Sequence, residues 1–176
     1  MSGLGGKTAA VLVERMYNEL ELWYPVYRLR EAGFDVKLVG PKAGESYASK
    51  HGLPARADVA AADVKADDFD VVIVPGGYAP DYMRRVPAMI RLVADAASLG
   101  KVVGAICHGP WMLCSARCIQ GRNVTGSIAI RDDVENAGGV WQDGACVRDG
   151  NVVTSRAPDD LPAFMQGVLA ALAQIV

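Results

Sequence analysis

Histidine is scarce in this sequence: His51 and His108 are the only two among 176 residues. The four cysteines do not make up for it as metal ligands. Cys107, Cys114 and Cys118 lack the Cys-x-x-Cys spacing and no second pair follows, so no metal site is expected. Cys114 and Cys118, four apart on an expected helix, read as core or subunit-contact residues. Four cysteines are also too few for a disulfide framework, and a reducing compartment leaves them as thiols. Excess positive charge is lacking too. Lys and Arg total 18 against 20 Asp and Glu, the net charge is −2 and the pI is near 5.7. With no basic cluster, nucleic acid is not an expected partner. Apolar runs are only strand-sized, and Met1-Ser2-Gly3-Leu4-Gly5-Gly6 lacks the apolar core of a signal peptide, so the expectation is a soluble cytoplasmic protein with no membrane partner. No GxGxxG pattern, internal repeat, low-complexity tract or linker is present, and no cofactor is expected.

What is present is 51% hydrophobic and 22% charged, which suits one domain over residues 1–176 with a well-filled core. Strand and helix signals alternate along it. Thr8 to Val13 reads as a strand, Glu19 to Glu31 as a helix stopped at Ala32-Gly33, and Val36 to Val39 as the next strand. Pro41 to Asp68 is less regular and holds a Lys50-His51-Gly52 turn. Asp70 to Val74 forms a strand closed by Pro75-Gly76-Gly77, a loop whose backbone can approach a ligand closely. Helical spacing over Pro80 to Leu99, at Met83, Ile90, Val93 and Ala97, ends at Gly100. After a strand ending at Ile106 come a helix at Trp111 to Ala116, a short strand near Asn123 to Gly126 and a charged helical turn at Arg131 to Ala137. Two strands flank Arg148-Asp149-Gly150-Asn151, where Asp-Gly signals a hairpin. A last helix runs from about Asp159 to Ile175, with Asp159 or Asp160 as N-cap. The fold class is α/β: a doubly wound parallel sheet sandwiched by helices, with a small β-hairpin.

The segment Lys101 to Pro110 carries the strongest chemical signal. Its apolar run ends at Cys107, followed by His-Gly-Pro and a helix. Ala105-x-Cys107-x-Gly109 has the logic of a nucleophile elbow, in which small neighbours let a strained turn lift the nucleophile above the sheet edge. The positive end of the next helix is expected to lower the thiol pKa. A free cysteine commonly packs as a small hydrophobe, and the turn is what sets Cys107 apart. Ligands of a doubly wound sheet bind beyond the carboxyl ends of the strands. That rule selects the loops Val13 to Glu21, Gly76 to Asp81 and Cys107-His108, which would supply the acid or base and the anion hole that a thiolate needs. Tyr17, Tyr78 and Trp111 are aromatic there and would either shape a pocket or pack.

Val74-Pro75-Gly76-Gly77, Ala105-Ile106-Cys107-His108-Gly109-Pro110 and Thr154 to Leu161 resemble the signatures of the PfpI-like intracellular protease family. That family lies within the ThiJ/PfpI superfamily, which includes a parkinsonism-associated redox protein and glutathione-independent glyoxalases. The likeness covers nearly the whole chain, including Leu20 to Pro25 and Arg131-Asp132-Asp133. It implies a flavodoxin-like fold, related to that of glutamine amidotransferases, with Cys107 as nucleophile and His108 as its neighbouring histidine. It further implies Glu21 hydrogen-bonded to the sulfur, backbone N–H groups of Gly77 and His108 as oxyanion hole, and Asp81 reaching a histidine across a subunit contact. A homodimer or higher homo-oligomer follows from the last. Where members carry Asn-Glu-Phe-Glu, this chain has Arg15-Met16-Tyr17-Asn18, so Asn18 replaces a carboxylate expected to line the pocket. Tyr17, Tyr78 and Asn18 are then the substrate-binding candidates.

Three functions remain open on these residues. One is an enzyme of glyoxalase or deglycase type, whose thiolate adds to an aldehyde or α-oxoaldehyde. The others are a cysteine peptidase acting on peptide substrates and a redox sensor or chaperone with an oxidisable Cys107. An amidotransferase needs a histidine far downstream of its cysteine, and none follows His108. The small carbonyl substrate is favoured, because short loops form a small pocket more readily than a groove for an extended peptide.

Overall fold

In the computed structural model, which describes residues 5–174, the apolar runs become the strands of one seven-stranded sheet. The elements in order are β1 (Thr8–Leu12), α1 (Glu19–Glu31), β2 (Asp35–Gly40), β3 (Ser46–Ala48), β4 (Pro54–Arg56), β5 (Val59–Ala60), β6 (Val71–Val74), α2 (Ala79–Met83), α3 (Pro87–Ser98), β7 (Val102–Ile106), α4 (Pro110–Ser115), β8 (Asn123–Val124), α5 (Arg131–Asn136), β9 (Val140–Trp141), β10 (Val147–Asp149), β11 (Val152–Ser155) and α6 (Leu161–Leu172). Sheet order is β10-β11-β7-β6-β1-β2-β5. Every pairing is parallel except β10 with β11, the hairpin expected at Asp149-Gly150. β6, β7 and β11 are buried along their whole length, as strands covered on both faces must be; β6 and β7 accordingly read as unbroken apolar runs, while β11 buries Thr154 and Ser155 with their hydroxyls donating to Val147 O and Ala145 O. α1 and α6 pack on one face of the sheet, α3 and α4 on the other.

The connections reverse direction across the sheet between β1 and β6. Register then decides what meets there: Val11 pairs Ile73, and Val74 pairs Ala105. The loops after β1, β6 and β7 therefore emerge side by side.

Several expectations are corrected. The helix expected over Pro80 to Leu99 is two helices, α2 and α3, broken at Pro87. Proline disfavours helical backbone at the residue before it, and Val86 is extended at φ −107°, ψ 104°. The irregular stretch from Pro41 holds an antiparallel hairpin, β3–β4, whose turn contains Lys50-His51-Gly52. β9, not foreseen, pairs with β8 in parallel. Asp160 does stand at the N-cap of α6, yet its carboxylate makes no cap bond and instead accepts from Arg156. Ile175, the expected end of that helix, lies outside the described residues. α1 keeps the foreseen bounds and runs through Pro25.

Candidate active site at the Cys107 elbow

Cys107 has φ 61°, a left-handed backbone that few residues other than glycine adopt. Its neighbours hold it there. The Cys107 N–H donates to Ser155 O at 3.0 Å, its carbonyl accepts from Ser127 N at 2.7 Å, and Gly109 N donates to Ile106 O at 2.8 Å. Glycine is required on the facing loop, because a Cβ on Gly76 would lie 2.7 Å from Cys107 Cβ and 2.9 Å from Ile106 O, and would also collide with Glu21 Oε2. Gly77 takes φ 73° and bridges to Tyr17. A hydrogen-bonded turn thus fixes the thiol above the carboxyl ends of β6 and β7.

Glu21, in the first turn of α1, is wholly buried. Oε2 accepts from Gly76 N at 2.8 Å, while Oε1 is buried with no hydrogen-bond partner. A buried ionised carboxyl with an orphan oxygen is costly, so the neutral form is favoured. Burial pushes its pKa up to about 7 against the opposing pulls of the Gly76 N–H, the Cys107 thiol and the Lys50 charge. The thiol is pushed up to about 12, first by burial and then by the Glu21 charge, with the Gly77 and His108 N–H groups pulling it down by less. This overturns the expectation that the helix end lowers the thiol pKa. α4 has six residues and begins with Pro110, which has no N–H to offer, so its end is weak beside burial and an adjacent carboxyl. Contact between carboxyl and thiol becomes a hydrogen bond only when a proton lies between them.

His108 Nδ1 lies 3.3 Å from Cys107 Sγ. The ring is held between Tyr78, stacked at 5.9 Å, and Trp111, edge-on at 5.0 Å. Burial, then the Lys50 charge, moves its pKa down, so it is a neutral imidazole at pH 7 that can take a proton.

The other expected residues divide. Tyr78 is exposed beside His108, where a ligand would meet it. Tyr17, read from the sequence as a substrate-binding candidate, is wholly buried with its hydroxyl donating to Leu53 O at 2.7 Å, and its side chain packs in the core. Asn18, expected to line the pocket, has its side-chain oxygen engaged in the backbone of α1. It is the N-cap of α1, Oδ1 accepting from Leu20 N at 3.0 Å and Glu21 N at 3.3 Å. Asp81, expected to reach a histidine of a second copy, pairs within this chain with Arg85 one helical turn on. Sequence reasoning passed over Gly76, whose N–H anchors Glu21, and Lys50, whose charge acts on both Glu21 and His108. Gly76 was visible as half of a Gly-Gly pair, but a contact between residues 21 and 76 leaves no local pattern.

The sequence profile of the DJ-1/PfpI family matches residues 7–171. The chain is 41% identical over 150 residues to a deglycase of Thermococcus kodakarensis, covering 85% of this chain and 90% of that one. It is 39% identical over 158 residues to YraA of Bacillus subtilis, provisionally named a cysteine protease, covering 90% and 94%. Among solved structures, an Anabaena variabilis protein with a DJ-1/ThiJ/PfpI-like and a ferritin-like domain superposes with a TM-score of 0.92 at 42% identity. That match covers 95% of this chain and 48% of the two-domain one. Profile, relatives, fold and elbow agree: this chain belongs to the DJ-1/PfpI family.

Proposed function

We propose that the protein is a cysteine-dependent enzyme acting on small aldehydes and α-oxoaldehydes, of glyoxalase or deglycase type. The observation that carries this reading is a thiol on a strained turn beside a wholly buried carboxyl whose pKa stands near 7. A carboxyl poised there accepts and returns a proton at neutral pH, which is what rearranging a hemithioacetal needs. The reacting microstate is thiolate beside protonated Glu21. Cys107 Sγ bonds to the aldehyde carbon, and the carbonyl oxygen gathers its negative charge at the Gly77 and His108 N–H groups before taking a proton. Glu21 or neutral His108 then removes the proton on that carbon and a proton returns to the adjacent one, giving a thioester. Water hydrolyses it, so an α-oxoaldehyde plus water leaves as a 2-hydroxy acid and the thiol is regenerated. In the deglycase variant the aldehyde arrives bound to an amine or thiol, which is released. Asp81 would join only from a second copy, so a homodimer or higher homo-oligomer is part of the proposal.

The deglycase name of the Thermococcus relative supports this reading, and the YraA name supports a peptidase. Geometry weighs against a peptidase. β6 and β7 are interior strands, so no free sheet edge lies beside Cys107 to pair with an extended peptide. The deciding experiment assays methylglyoxal, glyoxal-modified N-acetylcysteine and casein side by side on wild type and Cys107→Ala. Carbonyl turnover lost in the variant is expected. Casein cleavage alone would install the peptidase, and activity on none with clean oxidation of Cys107 would install the redox sensor.

A further inference from the structure

The turn of the β3–β4 hairpin is fastened to the start of α1. Ser49 Oγ donates to Glu19 Oε1 and accepts from Leu53 N at 2.9 Å. Glu19 Oε1 also accepts from His51 N at 3.0 Å, and both its oxygens lie 3.1 Å from His51 Nδ1. Burial pushes the Glu19 pKa up, but these bonds outweigh it and bring the group down to about 2, so it is a carboxylate at any ordinary pH. Tyr17 OH ties the far side of the turn through Leu53 O. The turn is therefore clasped to the first residue of α1, and Glu19 is fully occupied by its own partners.

Between Ser49 and His51 stands Lys50. Its N–H donates to Tyr17 O at 3.0 Å, and Tyr17 is in turn bridged to Gly77. Lys50, Tyr17 and Gly77 thus lie on three neighbouring backbone segments, which puts the Lys50 backbone about 10 Å from that of Gly77, two strand spacings away. Its flexible four-carbon stem can span most of that. Lys50 is exposed and forms no ion pair among the described residues. The catalytic reading above gives this cation no task.

We propose that Lys50 determines specificity: held beside the elbow by the Glu19–Ser49–His51 clasp, its ammonium receives a carboxylate on the part of the substrate away from the carbon that Cys107 attacks. Among carbonyl compounds, those that carry a carboxylate are then preferred over their neutral counterparts. The substrate half of this statement rests on the aldehyde chemistry proposed for Cys107. The anion site itself does not. Lys50 acts on both Glu21 and His108, which agrees with its reach.

Two measurements on wild type, Lys50→Met and Lys50→Arg separate the claims. The first is the rate of Cys107 alkylation by iodoacetate, an anion, divided by the rate with neutral iodoacetamide. Both reagents attack one sulfur, so the ratio cancels any change in thiolate fraction. In Lys50→Met it should fall about tenfold, the low end of electrostatic steering, and Lys50→Arg should restore it. The second is the preference in kcat/KM for glyoxal-modified N-acetylcysteine over its neutral amide, which should collapse in parallel. An alkylation ratio unchanged in Lys50→Met would overturn the proposal. A ratio that falls in a protein that turns over neither carbonyl compound would uphold the anion site and remove the aldehyde reading.

Discussion

Burial makes ionisation costly for both Cys107 and Glu21, the Glu21 charge adds to the cost at Cys107, and the fold accepts that cost. Glu21 stands at about 7 in the folded protein against an ordinary value of 4.5, raised chiefly by burial. The folded state therefore binds a proton more tightly than the unfolded chain between those values. Stability is highest below the unfolded value and declines as pH rises through about 4.5 to 7, by an amount of order 3 kcal/mol if the whole shift is realised. Glu21→Gln removes the titration, so its denaturant midpoint should change less than that of wild type between pH 4 and pH 8. Parallel pH curves for the two proteins would show that Glu21 is not held neutral by burial. Gly76 is the second residue-scale test. Gly76→Ala places a methyl group among Cys107 Cβ, Ile106 O and the Glu21 carboxyl, so it should cost about 1–3 kcal/mol and abolish turnover. Wild-type activity in that variant would mean the loop has slack that the structure does not show.

The element that places Glu21 is the first turn of α1, and its start is set by Asn18. Asn18→Ala loses the bonds to Leu20 N and Glu21 N and should lower stability by about 1 kcal/mol, read as a lower Tm. An unchanged Tm would return Asn18 to the pocket-lining role read from the sequence. α1 was legible to the residue, because a stop at Ala32-Gly33 and charged flanks are local signals. So were the buried strands, whose apolar runs reflect helices on both faces. What failed were features that compete with local pattern. Apolar spacing carried the helix expected over Pro80 to Leu99 straight across Pro87, where a backbone constraint overrides periodicity. β3 and β4, three residues each with one buried side chain, are too short to show a period. At the site, Cys107, His108 and Glu21 were legible from the elbow and the resemblance. The Gly76–Glu21 bond and the Lys50 approach were not, since they join segments distant in sequence.

For the whole molecule, seven strands with helices on both faces bring three loops together at the reversal of strand order, and the proposed chemistry depends on that convergence. Asp81 does not converge in one chain, where it pairs with Arg85. If it serves the site from a second copy, sedimentation should find a dimer or larger species at micromolar concentration, and a monomer with full activity would remove Asp81 from the mechanism. The central claim is that Cys107 and Glu21 share a proton in order to process a carbonyl compound. Its most direct test follows methylglyoxal conversion to lactate by wild type, Cys107→Ala and Glu21→Gln, with intact mass measured on each protein during the reaction. The account predicts no turnover and no adduct in Cys107→Ala. In Glu21→Gln it predicts an adduct on Cys107 with turnover slowed about 100-fold, the usual scale for losing a general acid–base. Lactate formed by Cys107→Ala at the wild-type rate, or by Glu21→Gln without loss, would contradict it.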